Sequence, residues 1–264
     1  MKLAANLTLL YPELPFIERF QAASNDGFKI VEIQFPYDTP AAEIKQALDR
    51  HNLTCVLINV PAGDLMAGGL GLACVAGKQA EFEQALELCA SYVKILSPSR
   101  VNVLAGRSAG DRKTELDILH TNLIKAADVL APLGVTVTFE AVNTINMPGF
   151  LISTFNDMKQ VMDYLQDDRI RMQFDIYHMA MMKEPIAQLL TEHMANIGHI
   201  QFADMPGRHE PGSGDIDFSE VFRLIQSSDY LGCVAAEYHP AGDSTSAGLG
   251  WRLGLEVRAE SDLK

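Results

Sequence analysis

Val135-Thr-Val-Thr-Phe-Glu140, Ile170-Arg-Met-Gln-Phe-Asp175, Gly198-His-Ile-Gln201 and Cys233-Val-Ala-Ala-Glu237 share one design. Each is a short, largely apolar, β-rich run that finishes on an oxygen-bearing side chain. Such runs read as buried strands, and a charge at the end of one is costly unless it has a partner. The intervals between them suit consecutive strands of one parallel barrel, so the four endings are expected to share a site. Working outward, strand-like runs also occupy 3–9, 29–34, 54–60 and 100–104, and these join 135–140, 171–175, 199–202 and 233–237. Between them lie stretches with apolar residues at three- and four-residue intervals, at 15–24, 41–50, 78–95, 115–131, 155–165, 185–194 and 219–226. That period is helical. Ser153, Thr154 and Asp157 give the helix at 155 a capping start, while Gly27 and Gly134 stop helices before strands.

This alternation, without a long linker or a break in composition, predicts an α/β fold: a (β/α)8 TIM barrel in which residues 1–264 form a single domain. A doubly wound open sheet is the alternative. It would normally carry Gly-x-Gly-x-x-Gly after its first strand, and Leu9-Leu-Tyr-Pro12 carries none. The glycine-rich segment 61–77 follows the third strand, on the face where barrel enzymes place catalytic loops, and reads as a surface loop or a lid.

Composition narrows the function classes. With 48% hydrophobic residues in 264, the chain buries a sizeable core and is not disordered. No apolar stretch approaches the roughly 20 residues of a membrane helix. Asn6 and Thr8 interrupt the apolar start, which reads as the first strand and not as a signal peptide. The formal charge of −13, from 34 acidic and 21 basic side chains, argues against nucleic-acid and membrane partners. Cys55, Cys74, Cys89 and Cys233 show no metal or redox spacing, which suits free thiols and a cytoplasmic location.

At the C-terminal ends of neighbouring barrel strands, Glu140, Asp175, Gln201 and Glu237 converge. An all-oxygen set favours a divalent metal, Mg²⁺ or Mn²⁺, over zinc, and such a cation offsets the repulsion among three carboxylates. The plainer expectation for any one of them is a helix cap or a separate ion pair. His178, three residues past Asp175, lies near the mouth, where it is placed to hydrogen-bond a substrate oxygen. Asn143 lies at the mouth after Glu140. In the turn-rich segment 203–215, Arg208 and His209 supply donors for an anionic substrate.

The chain resembles the hydroxypyruvate isomerase family of the xylose-isomerase-like barrels along nearly its whole length. The shared stretches are Asn6-Leu7, Pro15-Phe-Ile-Glu-Arg-Phe20, Phe35-Pro-Tyr37, Pro61-Ala-Gly-Asp64, Gln173-Phe-Asp-Ile-Tyr-His178, Pro206-Gly-Arg-His-Glu-Pro211, Glu237-Tyr238 and Gly248-Leu-Gly-Trp251. The resemblance implies that Glu140 and Glu237 transfer protons and that Glu140, Asp175, Gln201 and Glu237 hold the metal. It implies aldose–ketose isomerisation of hydroxypyruvate to 2-hydroxy-3-oxopropanoate (tartronate semialdehyde) through an enediolate. A 2-oxo-tetronate isomerase, from a close subgroup, and a related sugar epimerase are alternatives. The substrate is then a small anionic hydroxy-oxo acid; a homo-oligomer is left open. Two positions depart from the family pattern: Ala141 stands where proline is common, and Met205 where asparagine is frequent. Both bear on substrate identity. A metal-dependent nuclease of the same fold fits poorly, with seven histidines, Gln201 at a ligand position and an acidic surface. A barrel that binds a small acid without turnover is the non-enzyme reading.

Overall fold

Short runs rich in Val, Ile, Phe and Thr extend because branched side chains pack well on a pleated surface. In this chain eight such runs are too short to bury themselves alone and close on one another. The computed structural model, which describes residues 1–253 and 255, shows a closed parallel barrel whose strands follow chain order. The strands are β1 Lys2–Asn6, β2 Ile30–Ile33, β3 Thr54–Asn59, β4 Arg100–Asn102, β5 Thr136–Glu140, β6 Ile170–Asp175, β7 Ile197–Phe202 and β8 Cys233–Ala236. Closure is made by β1 on β8, in register from Lys2↔Cys233 to Ala5↔Ala236.

The covering helices are α1 Glu18–Asn25, α2 Ala41–His51, α3 Gln79–Leu96, α4 Arg112–Leu130, α5 Phe155–Leu165, α6 Ile176–Met181, α7 Ile186–His193 and α8 Phe218–Ser227. The capping signals hold: Thr154 and Asp157 form a reciprocal capping box on α5. Gly27 and Gly134 take φ of +83° and +82°, the left-handed conformation that ends a helix. Among the described residues no helix is long and apolar enough to cross a membrane. All four cysteines are buried and unpaired.

Three expectations need correction. The sequence places one helix between β6 and β7, at 185–194, but α6 begins directly on the end of β6. It escapes an amphipathic reading because Ile176, Tyr177, His178, Met179 and Ala180 are all buried, so no polar face marks its period. β1 stops at Asn6 and β4 at Asn102, three and two residues short of their expected ends. The segment 61–77 is folded onto the barrel and not held clear of it: Leu65, Leu72, Ala73 and Cys74 join the main core, and Asp64 Oδ1 accepts from Gly71 N at 2.9 Å.

By the two-residue period of a strand, Val137 and Phe139, Phe174, Ile200 and Phe202 point outward to the helices and lie in the main core. The inward set is layered. Ala4, Val56, Leu57, Cys233 and Ala235, with Ile30, make a small apolar cluster. Nearer the C-terminal ends the interior is polar: Asn6, Glu32, Asn102, Thr138, Glu140, Gln173, Asp175, His199, Gln201 and Glu237 are all buried. So much buried polarity requires hydrogen-bond partners, and the fold supplies them from across the barrel.

Candidate active site

Glu140 and Asp175 are the last residues of β5 and β6, Gln201 is the penultimate residue of β7, and Glu237 immediately follows β8. Asp175 lies opposite Gln201 in register, so neighbouring strands bring the endings to one level. The structure therefore gathers three sequence-chosen acids. Ligand atoms of Glu140, Asp175 and His178 lie within 4.8 Å of one another. Arg208 enters from the following loop, with Nη2 at 3.2 Å from Glu237 Oε1 and 3.8 Å from Asp175 Oδ2, and its guanidinium sits 5.2 Å from the Tyr177 ring centre.

Asp175 does two jobs at once. Its Oδ1 caps α6 by accepting from the backbone N–H groups of Tyr177 and His178, at 2.8 and 3.3 Å. Its Oδ2 faces His178 Nε2 at 3.5 Å and Arg208. The cap expected of an isolated acid and the site carboxylate are thus the same residue.

The His178 tautomer follows from its neighbours. Asn143 Oδ1 accepts from Ile145 N and Asn146 N, at 3.1 and 2.8 Å, which turns its amide nitrogen toward His178 Nδ1 at 2.7 Å. Nδ1 is therefore the acceptor, and the neutral ring carries its proton on Nε2. Burial lowers the His178 pKa to about 4 despite Asp175, so the ring stays neutral near pH 7. A ring in that state donates from Nε2 and does not ligate through it.

Burial, reinforced by Asp175, raises the Glu140 carboxyl to about 8. Burial likewise pushes Glu237 well above the carboxylate range, though Arg208 opposes it. Burial also works against the Arg208 charge, but Glu237, Asp175 and Glu140 together hold its pKa above the usual value. Glu237 Oε2 is buried with no hydrogen-bond partner.

Arg208 is aimed by its loop. Asp204 accepts four backbone N–H groups: Met205 and Ile216 on Oδ1, at 2.8 and 3.1 Å, and Gly212 and Gly214 on Oδ2, at 2.8 and 2.9 Å. Arg208 itself sits at φ +58°, a left-handed conformation that costs a non-glycine residue about 1–2 kcal/mol, so the surrounding turn must impose it. His209 does not reach the acids. Its Nδ1 bonds the His239 carbonyl at 2.7 Å, and it makes no hydrogen bond or ion pair with Glu140, Asp175 or Glu237. Met205 follows Asp204 in this turn, and Ala141 directly follows Glu140; both side chains are largely covered.

Several residues at the site carry no clear signal in the sequence. Asn102 Nδ2 donates to Glu140 Oε1 at 2.7 Å, and Gln34 Nε2 donates to Glu237 Oε1. Deeper, Glu32 collects donors from β1 and β7. An alternating reading of Ile30-Val-Glu-Ile33 puts Glu32 on the face of Ile30 but does not say which face is inside.

A closed parallel barrel with ionisable side chains converging on the C-terminal ends of its strands belongs to the TIM-barrel class of enzymes. Within that class, the chain belongs to the xylose isomerase-like TIM barrel family, whose model matches residues 20–255. It is 38% identical to the 2-oxo-tetronate isomerase of Cupriavidus necator, over 95% of this chain and 96% of that protein. It is 34% identical to the hydroxypyruvate isomerase of Escherichia coli, over 95% and 98% of the two chains. Among solved structures, one named AP endonuclease, family 2, from Brucella melitensis superposes with a TM-score of 0.92 at 36% identity, covering 96% of this chain and 98% of its own.

Proposed function

We propose that the chain interconverts hydroxypyruvate and 2-hydroxy-3-oxopropanoate, moving a proton between adjacent carbons of a short 2-oxo acid. Its isomerase class rests on relatives so named that align over 95% of its length. The observation that supports the chemistry best is the pair of buried glutamates, Glu140 and Glu237, at the ends of β5 and β8, the Glu140 carboxyl raised to about 8 and that of Glu237 raised by burial. One glutamate takes the proton from the hydroxyl-bearing carbon and the other, or the same one, returns it to the neighbouring carbon, while the hydroxyl proton passes to the former carbonyl oxygen. Arg208 holds the substrate carboxylate, and His178 donates from Nε2 to a substrate oxygen. His209 contributes by bracing the turn that carries Arg208.

The oxygen set Glu140, Asp175, Gln201 and Glu237 fits a divalent cation, Mg²⁺ or Mn²⁺. Glu237 Oε2 is an orphaned buried acceptor, and Asp175 and Glu237 share one guanidinium while Glu140 adds a third buried acid beside them. Bound there, such a cation would supply Lewis-acid stabilisation of the negative charge that develops on the substrate. The free buried thiols suit a reducing compartment such as the cytoplasm.

Relatives named for the four-carbon reaction are as similar as those named for the three-carbon one, which favours 2-oxo-tetronate isomerisation as the second reading. A nuclease reading draws on the name of the Brucella melitensis structure, but the acid excess of this chain opposes it. Glu140→Gln and Glu237→Gln should each lower turnover about 10²–10⁴-fold while the melting temperature holds. The assay panel is three- and four-carbon hydroxy-oxo acids, with Mg²⁺, with Mn²⁺ and with chelator, read also as hydrogen exchange in deuterated water. Near-normal turnover in either variant rejects the assignment.

A further inference from the structure

Beneath the acids runs a continuous chain of buried hydrogen bonds that the reaction itself does not use. Glu32 on β2 is fully buried and accepts on Oε1 from Asn6 Nδ2 and Gln201 Nε2, both at 2.7 Å. Its Oε2 lies 2.6 Å from His199 Nε2. Gln201 Oε1 in turn accepts from Gln173 Nε2 at 2.7 Å, and Gln173 Oε1 is 3.1 Å from Thr138 Oγ1.

An amide has two unlike ends, so a side chain offered to a cation is useful in only one of its two orientations. A carboxylate surrounded by donors accepts and does not donate. It therefore compels the Gln201 nitrogen to face β2, and leaves Gln201 Oε1 with a second lone pair beyond the one Gln173 occupies. Asn6 cannot be the orienting group, because its own Oδ1 is held by the N–H groups of Thr8 and Leu9, at 3.0 and 3.2 Å.

We infer that Glu32 is a positioning residue: it fixes the amide of Gln201 so that oxygen, and not nitrogen, is presented to the divalent cation. This rests on the reading of Gln201 as a ligand. The acid is buried in the barrel interior, where its partners are His199, Asn6 and Gln201, and Gln201 is the one of these whose other end is open to the site.

The test is Mn²⁺ affinity measured by calorimetry, alongside melting temperature, for five variants. Gln201→Ala must weaken Mn²⁺ binding; if it does not, the ligand reading fails and this inference goes with it. Glu32→Met, which offers no acceptor, should weaken binding about 10–100-fold, the usual cost of losing a group that orients a ligand. Glu32→Gln should rescue most of that loss, keeping an oxygen toward Gln201 while its nitrogen turns to His199, whose neutral ring can switch tautomer so that Nε2 accepts. In a Gln201→Glu background, whose two oxygens are equivalent, Glu32→Met should cost nothing. Wild-type affinity in Glu32→Met while Gln201→Ala is weakened, or an undiminished cost in the Gln201→Glu background, overturns the inference. Should Glu32→Met not fold, the wild-type protein decides by NMR. Mg²⁺ should shift the Gln201 carbonyl carbon and leave its side-chain N–H protons hydrogen-bonded; the reverse pattern overturns the proposal.

Discussion

The two halves of the barrel bring opposite things to the same pocket. β5 to β8 end in Glu140, Asp175, Gln201 and Glu237, three of them acids. Their counterparts from β1 to β4 are chiefly amides, Asn6, Gln34 and Asn102, with Glu32 as the one acid, held by Asn6, Gln201 and His199. One half concentrates charge and the other supplies neutral donors that hold it in place. The division has a physical logic. A ring of acids around the whole barrel would repel itself, and a ring of amides would have nothing to ionise. Donors on the far wall hold a carboxylate in position without adding a charge.

The largest effect should separate the two tasks of Asp175. Asp175→Ala removes a site charge and the α6 cap together, so Mn²⁺ affinity should fall at least about 10–100-fold and stability by about 0.5–2 kcal/mol. Asp175→Asn keeps an oxygen for the N–H groups of Tyr177 and His178 but loses the charge. It should recover the melting temperature and not the affinity. If both variants lose affinity only in proportion to stability, the acid half is merely structural and the comparison breaks.

Next come the donors. Asn102→Ala and Gln34→Ala leave Glu140 and Glu237 in place but free to swing, and each should lower kcat/KM about 10–100-fold with little change in folding. The double variant should lose roughly the product of the two, because the bonds are to different acids. A neutral outcome for both would mean that the acids hold their own positions.

The same division explains what could be read in the sequence. The acid half was legible because each acid closes an apolar run, a pattern that survives without any knowledge of the partner. Helix caps and the barrel order were legible for the same reason, being local. The donor half was not. Gln34 meets Glu237 across 203 residues, and His199 meets Glu32 across 167. Within its own strand Glu32 shares a face with Ile30, and nothing local marks that face as interior. α6 was missed because complete burial erased its amphipathic period, and His209, chosen for its chemistry, proved to face the His239 carbonyl. Arg208, chosen on the same ground, was found against the acids because Asp204 ties its loop from within, through contacts no spacing rule predicts.

The smallest effect concerns stability against pH without metal, and it asks whether donors do compensate for crowded charge. Glu140 is raised to about 8, first by burial and then by Asp175, while Asn102 and Arg208 pull it down. The unfolded carboxyl titrates near 4.5, so the folded protein binds this proton more tightly. The stabilisation is then fully present below about pH 4.5 and is lost as pH rises through about 8. With chelator present, the melting temperature should fall by a few degrees between pH 6 and 8, since one proton contributes at most about 1.4 kcal/mol per pH unit. Glu140→Gln, which mimics the protonated acid, should flatten the decline. Asn102→Ala should extend it to higher pH, because the bond that eases ionisation is gone. Mn²⁺ should abolish the decline by favouring the ionised form. A wild-type profile matching that of Glu140→Gln would show that β1 to β4 already neutralise the crowding, leaving the acid half no electrostatic need of a cation.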